Sequence, residues 1–224
     1  MTGIDPDEHA RKLAAESLAD DDPTAWFERL YSQARDGAAV VPWDVAEPQY
    51  VLVEWASARP LDGTGKRALV VGAGLGRDAE FVAGFGFDTT AFDISPSAVD
   101  DARKRHAGSA VHYRQADLLD PPAEWTHAFD FVVESLTVQA LPDPPRRQAI
   151  AQVPRLMAPG GTLLVAAAGR DSDAPPEPGP PWPLVRAEVE AFASDGVEPV
   201  LIEELRNPGP PPSLRWRAEF RRPS

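Results

Sequence analysis

A glycine turn and two acids stand where a nucleoside could be held. The turn, Gly72-Ala73-Gly74-Leu75-Gly76-Arg77-Asp78, follows the short apolar run Arg67 to Val71. Glycines let a chain reverse sharply and bring backbone amides close to a ligand. Asp93 closes the next such run, Thr89 to Asp93. An acid at that point can accept both hydrogen bonds from a ribose diol. Its alternative place is the N-cap region of the following helix, where Ser95 already serves. Ala116-Asp117-Leu118 follows a third run. There a carboxylate can accept from an exocyclic adenine amine while Leu118 covers the ring face, although Asp117 reads equally well as a loop residue. The glycine spacing is not the dinucleotide G-x-G-x-x-G, because position 77 is arginine. That disfavours NAD without eliminating it.

These residues do chemistry together only if their runs are neighbouring strands. Arg67 to Val71 suits a buried parallel strand, and Asp78 to Gly84 continues as a helix. Thr89 to Asp93 is a second strand, followed by a helix from Ser95 to Arg105 with Pro96 at its first position. Val111 to Arg114 and Phe129 to Glu134 are a third and a fourth. A helix over Arg146 to Leu156 must kink or end at Pro154. Ala158-Pro159-Gly160-Gly161 reads as a turn before a fifth strand, Thr162 to Ala168. Such alternation specifies a doubly wound α/β sheet, whose ligands bind beyond the carboxyl ends of the strands. Upstream, residues 7–20 and 22–34 read as helices, the second capped by Asp22, and a third runs from about Pro48 to Ala58. Downstream come a helix near Arg186 to Ser194 and strands near Pro199 to Glu204 and Leu214 to Phe220. The last two form an antiparallel hairpin at the sheet edge. Residues 1–62 read as an N-terminal helical cap of the same domain, and residues 63–224 as its core.

Composition narrows the partners. Of 224 residues, 43% are hydrophobic and 25% charged, as in an ordinary globular domain. No apolar run approaches a membrane span, and the acidic N-terminus lacks the apolar segment of a signal peptide, so the cytoplasm is the expected compartment. The absence of cysteine excludes disulfides, thiolate zinc sites and a cysteine nucleophile. A formal charge of −13 argues against nucleic acid as the main partner. The C-terminal Arg215, Arg217, Arg221 and Arg222 interleave with Trp216 and Phe220 at strand spacing, which reads as a solvated strand face rather than an RNA-binding patch. His9, His106, His112 and His127 are scattered, so no metal site is expected. The 25 prolines cluster in an insert at 171–183 and in Asn207 to Pro212, which read as stiff connections.

Taken together, the glycine turn, Asp93, Asp117 and the stretch from Phe129 to Val165 resemble a class I S-adenosylmethionine-dependent methyltransferase. The Ala158-Pro159-Gly160-Gly161 turn is another habit of that family. The resemblance implies a seven-stranded, mostly parallel sheet of order 3-2-1-4-5-7-6 with strand 7 antiparallel, and S-adenosyl-L-methionine as cofactor. It implies cofactor contacts at Gly72, Ala73, Gly74 and Asp78 in the first turn, at Asp93 and Ile94, and at Asp117 and Leu118. Glu134 and Ser135 end strand four, where such enzymes often place a residue facing the transferred methyl. Glu134 is therefore the candidate catalytic carboxylate.

A narrower resemblance lies upstream. Trp26, Tyr31, Pro42-Trp43-Asp44 and Pro48-Gln49 are similar to the N-terminal segment of the thiopurine, thiol/halide and tellurite-resistance methyltransferases. That segment folds over the cofactor in the group, which implies contacts from Trp26 and Trp43; both also read as core aromatics. The implied reaction is in-line methyl transfer to a small-molecule acceptor, with a lean towards sulfur, selenium or halide. Two rivals stand beside it: an NAD(P)-dependent oxidoreductase using the same turn and Asp93, and a catalytically silent cofactor-binding protein.

Overall fold

The computed structural model describes residues 5–208 and 212–224. Seven strands form one sheet: β1 (Arg67–Val71), β2 (Asp88–Asp93), β3 (His112–Gln115), β4 (Phe129–Ser135), β5 (Met157–Gly169), β6 (Glu198–Asn207) and β7 (Ser213–Arg221). Their order is β3-β2-β1-β4-β5-β7-β6. The first five pair in parallel, whereas β7 runs antiparallel to both β5 and β6. Parallel strands need crossovers, and α4 (Arg77–Ala83), α5 (Pro96–Arg105) and α6 (Pro145–Arg155) supply three of them. The order reverses between β1 and β4, which makes the carboxyl edge there the expected ligand crevice.

Alternation along the strands separates two cores. Leu69, Val71, Val132, Leu163 and Val165 face one side, packed with Ile150 and Val153 of α6. Ala68, Val70, Phe131, Val133 and Leu164 face the other, with Leu52 and Trp55 of α3 (Tyr50–Ser57) and Val82 of α4. A third cluster joins α1 (Pro6–Ala19) to α2 (Ala25–Arg35) through Leu13, Trp26 and Leu30, and reaches Ala98 of α5. Of the upstream helices, α1 and α2 therefore sit near the start of α5, at the carboxyl edge of the sheet. No described helix is long and apolar enough to cross a membrane.

Several boundaries differ from the sequence reading. The helix expected from residue 22 begins at Ala25, because Asp22 accepts from the amides of Thr24 and Ala25 and so caps it from outside. The expected turn Ala158 to Gly161 is instead the bulged beginning of β5, where Phe129 pairs with Met157 and the register shifts before Phe131. Gly161 permits it, since a Cβ there would stand 2.8 Å from the Ala158 carbonyl oxygen. The helix expected over 186–194 is a single turn, α7 (Arg186–Glu190). Arg215 and Arg217 lie on a half-buried strand face rather than a solvated one, with Arg217 paired to Glu203 and Glu54. The proline run at 207–212 lies partly outside the described residues.

The insert at 171–183 is tied down at both ends. Arg206 pairs with Asp171 at 2.7 Å, and the Trp182 amide donates to the Gln139 carbonyl at 2.7 Å. Just past it, Trp216 Nε1 on β7 donates to the Leu184 carbonyl at 2.8 Å in a fully buried contact. Trp216→Phe keeps an aromatic side chain but removes one of that carbonyl's two donors, the other being the Arg170 amide at 3.0 Å, so urea denaturation should show stability lower by about 0.5–1.5 kcal/mol. An unchanged midpoint and slope would mean the bond carries no net stability.

Candidate cofactor site

β1 to β5 end on one edge, and between that edge and the upstream helices lies a cavity of about 430 Å³. This is within the usual range for small-molecule sites. The glycine turn forms its floor. Gly72, Gly74 and Gly76 have φ of 56°, 52° and 91°, the left-handed region that side chains disfavour. Space is equally restrictive: a Cβ on Gly72 would meet Thr137 Cγ2 at 2.3 Å, and one on Gly74 would meet Tyr31 Oη at 2.8 Å.

Asp93 holds this turn. Its Oδ2 accepts from the Gly74 amide and its Oδ1 from the Ser95 amide, both at 2.9 Å. Burial pushes its carboxyl up to about 6, against the lowering effect of those amides. Each oxygen keeps a further lone pair, and the residue lines the cavity beside Ile94. Asp117 and Leu118 line it from the end of β3, with Asp117 Oδ1 accepting from the Leu119 amide at 2.8 Å. Asp78 also lines it, and its Oδ1 accepts from the Gln49 amide at 2.8 Å, fixing the start of α3.

The upstream segment closes over the turn. Trp43 Nε1 donates to Tyr31 Oη at 2.7 Å, directly above Gly74, and Trp26 meets the Trp43 ring edge-on at 6.0 Å. Trp26 is buried in the third cluster and also lines the cavity, so it serves packing and site wall together. Three polar ties fix this cover. Arg105 grips Asp44 through two hydrogen bonds of 2.6 and 2.9 Å. Arg77 donates to the Trp43 carbonyl at 3.3 Å. Glu28 of α2 accepts from Ser95 Oγ, Ser97 Oγ and the Ser97 amide at the start of α5. Burial raises the Glu28 carboxyl, but these bonds and Arg35 hold it below the usual range.

Ser135, at the end of β4, also lines the cavity, and its hydroxyl is enclosed without a protein partner. Glu134 does not join it. Its side chain turns to the α6 face with Val71 and Val132, and it is wholly buried. Oε1 accepts from the amides of Thr137 and Val138 at 2.8 and 3.0 Å, while Oε2 has no partner. Strand alternation is the reason, because adjacent residues face opposite sides and only Ser135 reaches the mouth. The expected methyl-facing carboxylate is thus a clamp on the turn that follows β4. In that turn Leu136 has φ of 60°, which is uncommon for a leucine. Thr137 Oγ1 donates to the Val71 carbonyl at 3.0 Å, which seats the turn against Gly72.

Reading the sequence for acids at strand ends overlooked Tyr31, Leu136, Thr137, Gln139 and Arg215, all of which line the cavity. Only Tyr31 carried a usable signal, its spacing from Trp26 on one helix face. The others depend on a turn conformation or on which strand neighbours β5. Among the described residues no three His, Cys, Asp or Glu side chains stand close enough to share a metal ion.

Residues 68–161, which span β1 to the start of β5, match a family described as a methyltransferase domain. That stretch of the chain is similar to a methyltransferase domain. A ubiquinone biosynthesis O-methyltransferase of Xanthomonas oryzae pv. oryzae (strain PXO99A) is 36% identical over 137 residues, which cover 57% of this chain and 56% of that protein. The chain thus spans little more than half the length of the curated relatives it matches. Among solved structures, a Burkholderia thailandensis 1,6-didemethyltoxoflavin-N1-methyltransferase with bound 1,6-didemethyltoxoflavin and S-adenosylhomocysteine superposes with a TM-score of 0.67. It is 17% identical, and the match covers 99% of this chain and 92% of that one. The [4+2]-cyclase SpnF gives 0.64 at 20% identity, over 78% and 80% of the two chains. These structural likenesses establish the fold alone.

The buried Glu134 gives this domain a pH signature. Desolvation pushes its carboxyl from 4.5 up to about 7, against the amides of Val138 and Thr137. Between those values the folded chain binds more protons than the unfolded one. The stabilisation is full below pH 4.5 and is lost as pH rises through about 7. Glu134→Gln should abolish roughly 3 kcal/mol of that dependence, read as the difference between wild-type and variant in urea titrations from pH 5 to 8. Parallel pH profiles would refute the assignment.

Proposed function

We propose that the chain transfers a methyl group from S-adenosyl-L-methionine to a small-molecule acceptor. One observation carries the reading: the glycine turn, Asp93, Asp117 and Ser135 line a single cavity in the order in which strands β1 to β4 present them. The residues fit the cofactor. Asp93 has lone pairs left for a ribose diol, and among the described residues Asp117 has one carboxylate oxygen with no protein bond. Ile94 and Leu118 offer apolar walls for a purine, and the Ser135 hydroxyl needs a partner. The matched family and the 36%-identical relative, itself named as an O-methyltransferase, support the same activity.

When bound, the cofactor supplies an electrophilic methyl on a positively charged sulfur. The chain's own work is then placement. Tyr31 and Trp43 cover the glycine turn and exclude water, while the turn after β4 adds Ser135, Leu136 and Thr137 to the cavity wall. Holding two reactants aligned in a water-poor site supplies much of the rate in such reactions. Glu134 takes no part as a base, since its carboxyl is enclosed and committed to the amides of Thr137 and Val138. Without Glu134 as a base, the reading favours acceptors that are already nucleophilic at neutral pH, such as carboxylates, thiolates or halides.

Fold alone does not dictate chemistry, as the cyclase neighbour illustrates. Calorimetry with S-adenosylmethionine, S-adenosylhomocysteine and NADH discriminates the readings: the first two should bind and NADH should not. Binding of NADH alone would overturn the proposal in favour of an oxidoreductase. Asp93→Asn should weaken S-adenosylhomocysteine binding by about 1.5–3 kcal/mol, because a charged acceptor is lost from the ribose contact. Transfer of labelled methyl to a panel of phenols, carboxylates, thiols and halides then identifies the accepting atom. No transfer despite tight cofactor binding would mark a silent binder.

A further inference from the structure

The cavity extends well past the nucleoside half. β7 lies three strands from β1, about 14 Å at ordinary strand spacing. At that far side the wall is built from Phe27, Leu141, Ala168, Pro180, Pro181 and Pro183, with two polar side chains, Gln139 and Arg215.

Both polar groups are organised around Ala168. Arg215 is its direct antiparallel partner, so the two side chains share a face at the carboxyl edge of β5. The Ala168 amide donates to Gln139 Oε1 at 2.5 Å. That bond fixes which end of the Gln139 amide is occupied and leaves Nε2 as a donor. Gln139 is only 4% exposed, yet among the described residues Nε2 has no protein partner, and it is not among the fully enclosed polar atoms. Its remaining surface therefore opens on the cavity it lines.

Arg215 is set apart from the other cavity arginines. Arg77 is held by Asp78 and Arg105 by Asp44. On the terminal hairpin, Arg206, Arg217 and Arg222 are likewise paired with acids. Arg215 makes no ion pair among the described residues, and its one hydrogen bond is a long 3.4 Å contact to the carbonyl of neighbouring Leu214. Asp7 also lines the cavity, from α1, but is exposed and does not meet it. In a chain with 35 acids and 22 Lys and Arg residues, a half-buried arginine left without an acid has its charge free for a ligand. An arginine fork beside a neutral amide donor matches a carboxylate, which takes parallel N–H bonds in one plane. One free cation with an acid also on the wall suits a monoanion better than a phosphate dianion.

We propose that Arg215 and the Gln139 amide form a carboxylate-binding subsite that selects a flat apolar acid, whose body rests against Phe27 and the prolines of the insert. Calling that acid the methyl acceptor rests on the proposed methyltransferase activity; the subsite itself does not. The probes are pairs of aromatic acids and their primary amides, benzoate with benzamide, phenylacetate with phenylacetamide and 2-naphthoate with 2-naphthamide. Binding is measured by calorimetry on the whole chain with and without S-adenosylhomocysteine. The wild type should prefer each acid over its amide by about tenfold or more. Arg215→Ala should erase the preference, and Arg215→Lys should keep part of it. Gln139→Glu retains the oxygen for Ala168 but replaces the donor by a negative charge, so it should reverse the preference. All three variants should bind S-adenosylhomocysteine as the wild type does, which shows that they are folded. Equal binding of acids and amides, no binding of any acid at millimolar concentration, or a preference that survives in Arg215→Ala would overturn the subsite. Loss of cofactor binding in the wild type, with the acid preference intact, would instead overturn only the methyltransferase reading.

Discussion

The bond from the Gly74 amide to Asp93 is the constraint on which the rest of the site depends. Asp93 ends β2, and Gly74 turns the chain out of β1, so the contact joins two neighbouring strand ends just where a ligand would approach. Its other oxygen takes the Ser95 amide and thereby sets where α5 begins. One buried carboxylate thus defines the floor of the cavity and the helix beside it. The backbone amides that converge on it offset only part of the cost of burying that charge, so burial still pushes the carboxyl from 3.8 up to about 6.

The cover above that floor depends on the same helix. Glu28 reaches from α2 to the first turn of α5, where unpaired amides and two serine hydroxyls meet it. An acid is favoured at a helix N-terminus, so this contact is charge-assisted as well as specific. Once α2 is set, Tyr31 and Trp43 can close over Gly74 only because that residue has no side chain. The floor and its cover are therefore mutually dependent: a side chain at Gly74 would exclude Tyr31, and a shift of α5 would displace Glu28.

On the far side of β1 the polar group is spent differently. Glu134 sits one residue short of the strand's end, inside the α6 core, and its carboxylate satisfies the amides of a turn that holds Leu136 in an unfavourable conformation. Strain of this kind persists only where surrounding structure over-determines it. The result is a fixed turn whose Ser135, Leu136 and Thr137 line the cavity, held by a residue that does not line it.

Much of this fold can be read from the chain alone. Apolar runs ending in glycine or acid, each followed by a capped helix, specify parallel strands and their carboxyl edge, because period and cap chemistry are local properties. Placing Asp93 and Asp117 beside the glycine turn needed only that local reading and the topology of a doubly wound sheet. Glu134 could not be placed the same way, since a one-residue change of phase carries a strand side chain to the opposite face. Nor could Arg215 be distinguished from Arg217: both alternate with buried aromatics, and only the pairing of β7 with β5 sets one at the cavity and the other against acids. Sequence by itself determined the elements, their order and the acids at their ends. Tertiary structure decided which of those side chains face the ligand, because that depends on strand phase, on turns with left-handed residues and on neighbours distant in the chain.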